Sequence, residues 1–473
     1  MNEDFKIAWR NLWRNRRRTA ITSASVFFAV FFSVIMRSYQ LGSYDHMIIN
    51  FIESFTGYLQ IQHEKYQDNP LIDYAIDYDE AVAEAIQELD MVVSVTPHIE
   101  SFILASSGQQ TKGVAVIAID PERERSFSDP ESKLVNYRIT QKAVLCMQES
   151  DSISSDLIHR VEQIKGRSYS SAARIQLETG LSRRETQASL PVILRCAKVP
   201  NAFLTSGDEG VLVADRLADF LKVAIGDSVI LIGQGYQGVT AAGIFPVRGI
   251  LKMPSPELDN KLIIMTIPAA QKLFNAEGKI TSLVVNLDNK SKRTFKKAKA
   301  GIEELLTDKE TVAKTWYELN PILFQQIEGD NQSGMAMLGI LYFIIFFGIF
   351  GTVLMMVSER KREFGVLVAI GMQKRKLMRI ITMEMLMLGT IGLIAGLLAS
   401  APVIIYFYLN PIVLKGDLGN MMADWGWDPL MPAAWFGPYF YWQAAIVALM
   451  VLLATLYPLR KISRLKEMEA LRS

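Results

Sequence analysis

The sequence predicts an integral membrane α-helical protein with four transmembrane helices and a large α+β extracytoplasmic domain inserted between the first and the second. Three observations carry this. Four apolar stretches approach the length that about 30 Å of hydrocarbon requires, one near the start and three after residue 333. Asp, Glu and Lys crowd residues 42 to 333, whereas the apolar stretches carry almost none. Arg and Lys cluster at alternate ends of these stretches, as topology demands. Of 473 residues, 50% are hydrophobic and 21% charged, with a net charge of +1. That is too apolar for a soluble enzyme and too charged for a purely membrane-embedded bundle, and it suggests no nucleic-acid partner.

Residues 1–18, MNEDFKIAWRNLWRNRRR, set Phe5, Ile7, Ala8, Leu12 and Trp13 among Lys and Arg, which predicts a cytoplasmic amphipathic elbow helix in the membrane interface. Residues 19–41 are the first span, with an uncharged run from Thr19 to Met36. No small-x-small cleavage site follows, so an uncleaved anchor is favoured over a signal peptide. The extracytoplasmic domain occupies 42–333, the second span 334–357 and a short basic cytoplasmic loop 358–378. The third span is 379–408, an outer loop 409–440, the fourth span 441–459 and a cytoplasmic tail 460–473. Arg10, Arg14, Arg16, Arg17 and Arg18, then Arg360, Lys361, Arg362, Lys374, Arg375, Lys376 and Arg379, then Arg460 and Lys461 lie on one side. Lys415 is the one basic residue of 410–440. Both termini are therefore expected in the cytoplasm. Gly389, Gly392 and Gly396, and Gly348 with Gly351, permit close helix approach or dimerisation. Glu384 is expected to snorkel toward Arg379.

Within 42–333, Tyr58–Gln62, Lys112–Asp120, Gly210–Val213, Ser228–Ile232, Lys261–Thr266 and Thr281–Leu287 read as strands. Glu80–Glu88, Asp215–Val223 and Ser291–Leu306 read as helices. Residues 147–195 look like a polar, helical insertion bounded by Cys146 and Cys196, which either pair or remain free thiols. Gly233-Gln234-Gly235-Tyr236-Gln237-Gly238 matches the dinucleotide pattern, but a strand-like, glycine-punctuated run follows it instead of a helix, so a hairpin is expected. No GxxxxGK[ST] occurs, and His46, His63, His98 and His159 lack ligand spacing. Neither a catalytic constellation nor a cofactor or metal site is expected.

The run Ser358-Glu359-Arg360-Lys361-Arg362-Glu363-Phe364-Gly365-Val366-Leu367-Val368-Ala369-Ile370-Gly371-Met372, followed by Lys374 to Lys376, Glu384 and Gly392, resembles the ERxxEFGxLxAIGM loop of the FtsX/MacB-type ABC permease superfamily. Arg10-Asn11-Leu12-Trp13-Arg14-Asn15 resembles that superfamily's N-terminal motif, and Glu469-Ala470-Leu471-Arg472 its C-terminal ending, with Glu467 where many members have proline. Gly113 to Glu122 and Gly210 to Asp227 are most similar to the lipoprotein-releasing LolC/LolE-type permeases, with Ala118 in place of a glycine. The 147–195 insertion is not typical of them.

The resemblance implies a permease without its own ATPase. Glu359, Arg360, Arg362, Glu363, Phe364, Gly365, Leu367, Ile370 and Gly371 would form a coupling loop, its apolar residues seated in a groove of a separate ABC ATPase subunit. ATP and Mg2+ would sit on two such subunits, beside a second permease copy or paralogue. The implied location is the bacterial cytoplasmic (inner) membrane, the large domain in the periplasm. The leading expectation is release or export of lipoproteins, with Val26, Phe27, Val30, Phe31 and Val34 of the first span facing an acylated substrate and membrane lipid. Two other expectations are an FtsX-like signal transducer acting on a cell-wall hydrolase and a MacB-like efflux permease with a periplasmic adaptor.

Overall fold

The computed structural model describes all residues except 1–2, 15, 49–51, 53–55, 151–152, 182, 254, 289–290, 307, 415–420, 422–429 and 464–473. The C-terminal ALR ending and Lys415 therefore lie outside the described residues. The chain divides into a membrane unit, Met1–His46 with Ile322–Lys415 and Leu430–Ser473, and a large unit made mainly of Met47–Pro321.

The membrane unit contains α1 (Glu3–Arg14), α2 (Arg16–Ile48), α3 (Pro321–Glu359), α4 (Lys361–Ala369), α5 (Lys374–Leu409) and α6 (Pro438–Ser463). Four helices, α2, α3, α5 and α6, are long and apolar enough to cross a membrane. Two of them outlast their apolar stretches: α2 continues to Ile48, and α3 begins at Pro321, earlier than the 334 boundary read from hydropathy. Their polar extensions satisfy each other. Arg37 Nη1 donates to Asn331 at 2.9 Å, and the Tyr44 hydroxyl to Asp330 at 2.6 Å. A common core joins all of these elements, including Leu12, Val26, Val30, Val34, Ile349, Val353, Phe364, Leu377, Leu388 and Val451.

The large unit is built on nine strands: β1 (Leu59–His63), β2 (Val92–Ser107), β3 (Gln110–Ile119), β4 (Val211–Ala214), β5 (Ser228–Gln234), β6 (Thr240–Leu251), β7 (Leu262–Thr266), β8 (Ser282–Leu287) and β9 (Thr311–Thr315). Their order is β9-β1-β8-β2-β3-β7-β4-β6-β5, and a further pairing of β5 with β2 closes the last six into a ring. The sixteen-residue β2 belongs to both parts. Val92 to His98 pair with β8, and Ile99 to Ser107 with β3. Pro97, which has no N–H to give a ladder, sits beside this handover. Helices Glu80–Gln87, Asp215–Leu221 and Lys292–Leu305 follow caps or strand ends where sequence expected them.

Gly233 to Gly238 form the β5–β6 hairpin. Gly235 N donates to Val239 O at 2.6 Å, and Gln237 and Gly238 have φ of 54° and 79°, so no helix N-terminus follows. The insertion owns a separate small core of Ile139, Val144, Met147, Leu157, Val161, Ile175 and Ile193. Across it Cys146 and Cys196 are disulfide-bonded, with Cα atoms 5.8 Å apart.

Candidate functional site

The segment that resembles a coupling loop is a helix held between two breaks. Helix α3 ends at Glu359, and Arg360 leaves helical geometry at φ −95° and ψ 5°. Helix α4 stops in a Schellman motif: Gly371 N bonds Val368 O at 3.0 Å, and Met372 N bonds Leu367 O at 3.0 Å. Gly371 has φ +102°, a conformation that a side chain would strain.

This placement sorts the residues by face. Arg362, Glu363, Val366 and Ile370 point to solvent, with Ile370 80% exposed. Glu359 and Gly371 are exposed at the ends, and Leu367 is half-buried against the core. Phe364 and Gly365 are buried within the chain's own core, so the apolar face read as docking surface is divided. Phe364 serves the interior because a nine-residue helix lying on a bundle must bury one stripe, and its bulkiest side chain fills that stripe.

Arg360 likewise turns inward. Its Nη1 spans both carboxylate oxygens of Glu384, at 2.7 and 3.0 Å, and its Nε donates to Glu363 at 3.1 Å. The guanidinium stacks over Phe364, 5.2 Å from the ring centre. Only 9% of the Arg360 side chain and 1% of that of Glu384 is exposed. Arg379, the expected partner of Glu384, instead approaches the buried Asp4 at 3.6 Å. The reason is depth: Glu384 faces the bundle, where Arg360 arrives from the end of α3.

Glu363 completes a chain of charges, accepting from Arg14 Nη2 at 2.6 Å. Its burial acts to raise its pKa, but the hydrogen bonds and charges of Arg360 and Arg14 outweigh that and lower it. Arg14 and Asp4 thus tie α1 to α4 and α5. Sequence reading assigned neither residue to the site. The signal available was Glu384 itself, an acid in an apolar stretch that requires a cation, although nothing in the sequence selects which one.

The first span corrects a further expectation. Val26, Val30 and Val34 are buried inside the bundle, not turned outward. Gly392 and Gly396 bring α5 onto Val26 and Val30, so these glycines serve packing within the chain. Phe27 and Phe31 are half-buried, and Ile21, Phe28 and Phe32 form the outward apolar face. Gly348 and Gly351 face open space. Among the described residues, no group of His, Cys, Asp and Glu could hold a metal ion.

The FtsX-like permease C-terminal family matches residues 335–466, which run from the second span through α4 to the end of the fourth. Residues 335–466 are an FtsX-like permease domain. That match covers the C-terminal part of the chain, and the sequence relatives below are similar to it over longer stretches. The chain is 24% identical over 289 residues to the lipoprotein-releasing system transmembrane protein LolC of Neisseria meningitidis serogroup B, covering 57% of this chain and 66% of that protein. It is 25% identical over 223 residues to the pyoverdine export ATP-binding/permease protein PvdT of Pseudomonas fluorescens, covering 44% and 33%. Among solved structures, the periplasmic region of MacB from Actinobacillus actinomycetemcomitans aligns with a TM-score of 0.30 and 13% identity, covering 59% of this chain and 95% of that one. The extracellular domain of the ABC-type transporter YknZ from Gram-positive bacteria aligns at 0.28 and 11%, covering 54% and 99%.

Proposed function

We propose that this FtsX-like chain is the permease subunit of an ABC machine in the bacterial inner membrane, and that it uses ATP hydrolysis by separate ATPase subunits to release lipoproteins from that membrane. In this reading both termini and α4 face the cytoplasm and the large unit is periplasmic, in keeping with the basic residues of α1, α4 and the start of α5. ATP and Mg2+ bind the partner ATPases. Two permease copies, identical or paralogous, and two ATPases complete the assembly.

The observation that carries the proposal is α4 itself. It is a short helix presenting Arg362, Val366 and Ile370 outward while its other face is locked to the bundle. An exposed apolar residue flanked by charges suits a groove on another protein. The similarity to LolC supports lipoproteins as cargo. The similarity to PvdT favours a second reading, efflux of a small molecule through a periplasmic adaptor.

The test is affinity purification of the solubilised full chain from its own cells, compared with Ile370→Glu. Because Ile370 is 80% exposed, this change should leave thermal stability unaltered. Glu363 and Gly365 are poorer probes, since the first holds Arg14 and Arg360 and the second is buried. Co-purification of an ATPase and an acylated protein, with loss of the ATPase in Ile370→Glu, is expected. An ATPase accompanied by an adaptor and no acylated protein would shift the function to efflux; no ATPase at all would end the permease reading.

A further inference from the structure

We propose that Arg360 and Glu384 form the joint through which displacement of α4 reaches the third span, α5; the proposal rests on α4 being the ATPase-docking element. Helix α4 is joined to its neighbours by backbone that leaves the helix at both ends, at Arg360 on one side and at the Gly371 turn on the other. Torsion at such breaks absorbs a push, so the covalent chain alone transmits little direction. A lateral bond is needed.

Among the described residues, two ion-pair contacts lead from α4 and its leading residue Arg360 to other helices, and they differ in kind. The pair of Glu363 with Arg14 of α1 is half-exposed on both sides, where water and salt weaken it and allow it to slip. The Arg360–Glu384 pair is sealed from water, its guanidinium stacked over Phe364, where attraction is little screened. One guanidinium nitrogen bridging both carboxylate oxygens, with Nε held by Glu363, leaves the group little freedom to rotate.

Position matters as much as strength. The Gly371 turn meets α5 at its first residue, Lys374, whereas Glu384 lies ten residues along, about 15 Å up the helix. A helix held at one point pivots; held at two, it takes its direction from what holds it. The second point makes α4 and the cytoplasmic half of α5 one lever. Arg360 and Glu384 are therefore positioning residues.

The experiment uses the full chain with its co-purified ATPase in lipid nanodiscs. Because the native cysteines are bonded to each other, spin labels can be confined to Met337→Cys on α3 and Leu398→Cys on α5, both exposed. The distance between them is measured without nucleotide and with ATP and vanadate. A nucleotide-dependent shift is expected in the unaltered background. It should be lost in Glu384→Gln and diminished in Arg360→Lys, which keeps the charge but loses the planar fork that fixes the geometry, and it should return in the exchange Arg360→Glu with Glu384→Arg. ATPase binding should persist throughout, a combination that a purely structural role would not produce. If Glu384→Gln fails to accumulate, Arg360→Lys alone decides. An unchanged shift in that variant, or no shift in the background while ATPase is bound, overturns the joint. Failure of ATPase to bind the unaltered chain overturns the docking reading and this one with it.

Discussion

Gly392 of the third span and Val26 of the first lie so close that a methyl group on Gly392 would sit 2.7 Å from the Val26 Cβ and 2.5 Å from the Ser23 carbonyl oxygen. The second of these neighbours is backbone and cannot rotate away. Gly396 repeats the relationship one turn on, against Phe27 O and Val30 Cβ, both at 2.9 Å. Gly392→Ala should therefore force α2 and α5 apart and cost about 1–3 kcal/mol, read as a lower melting temperature in detergent. Gly348→Ala, which meets nothing within 4 Å, is the control. Equal melting temperatures for the two variants would contradict the packing.

Arg360→Ala removes the guanidinium that spans both carboxylate oxygens of the buried Glu384. Breaking a buried pair from one side costs about 3–5 kcal/mol. Thermal unfolding of the solubilised chain should show a loss of that order for Arg360→Ala and a smaller one for Arg360→Ala combined with Glu384→Leu, which removes the buried carboxylate. A larger loss in the double variant would argue against the ion pair as the origin.

The large unit should lose stability as pH rises through neutrality. His98 Nε2 lies 2.9 Å from Glu124 Oε2, both side chains sealed from water. Burial lowers the imidazole pKa, but the charge and hydrogen bond of Glu124 and the charge of Glu100 raise it further than that, and the net shift is upward. A raised histidine pKa contributes stability that is complete below its ordinary value and is lost as pH climbs through the folded value. Glu100 and Asp259, both raised mainly by burial, act in the same direction at lower pH. Lys133, pushed down to about 8 mainly by burial, acts oppositely once it sheds its proton. Melting temperature should fall as pH climbs above the ordinary histidine value of about 6.5, with a shallower slope in His98→Gln. Identical slopes would remove His98 as the cause.

Reduction of the Cys146–Cys196 bond should loosen the helical insertion. The bond closes a separation of 50 residues, and loop-closure entropy assigns it about 4 kcal/mol. Limited proteolysis with and without reductant should reveal new cleavage between residues 140 and 200, while the ring of strands resists. Unchanged cleavage would mean that the small core holds without the bond.

Much of the large unit was legible because strand and helix periods are local: β1, β3, β4, β5, β7 and β8 each lie within a residue or two of the runs read from sequence. The ring was not, since the β2–β5 pairing joins Leu104 to Ile232 and depends on how two distant segments meet. At the candidate site, the break at Gly371 was readable from residue types, but the segment before it read as a loop and is a helix over Lys361–Ala369. Which side chains it offers was not, because facing is decided by the surface a helix lies on. Phe364 and Ile370 are both apolar, and packing buries one and exposes the other.

Sequence by itself determined the four membrane-length helices and the division between an apolar and a charge-rich part, because hydrophobicity sums over a local window and needs no partner. Only the tertiary structure decided that Arg360, not Arg379, neutralises Glu384, that Val26 and Val30 face glycines and not lipid, and that Cys146 meets Cys196. Each of those outcomes depends on the approach of segments far apart in the chain. Burial then makes the choice binding, since an unpaired charge or an overfilled contact inside the bundle costs a large fraction of the marginal stability of a fold.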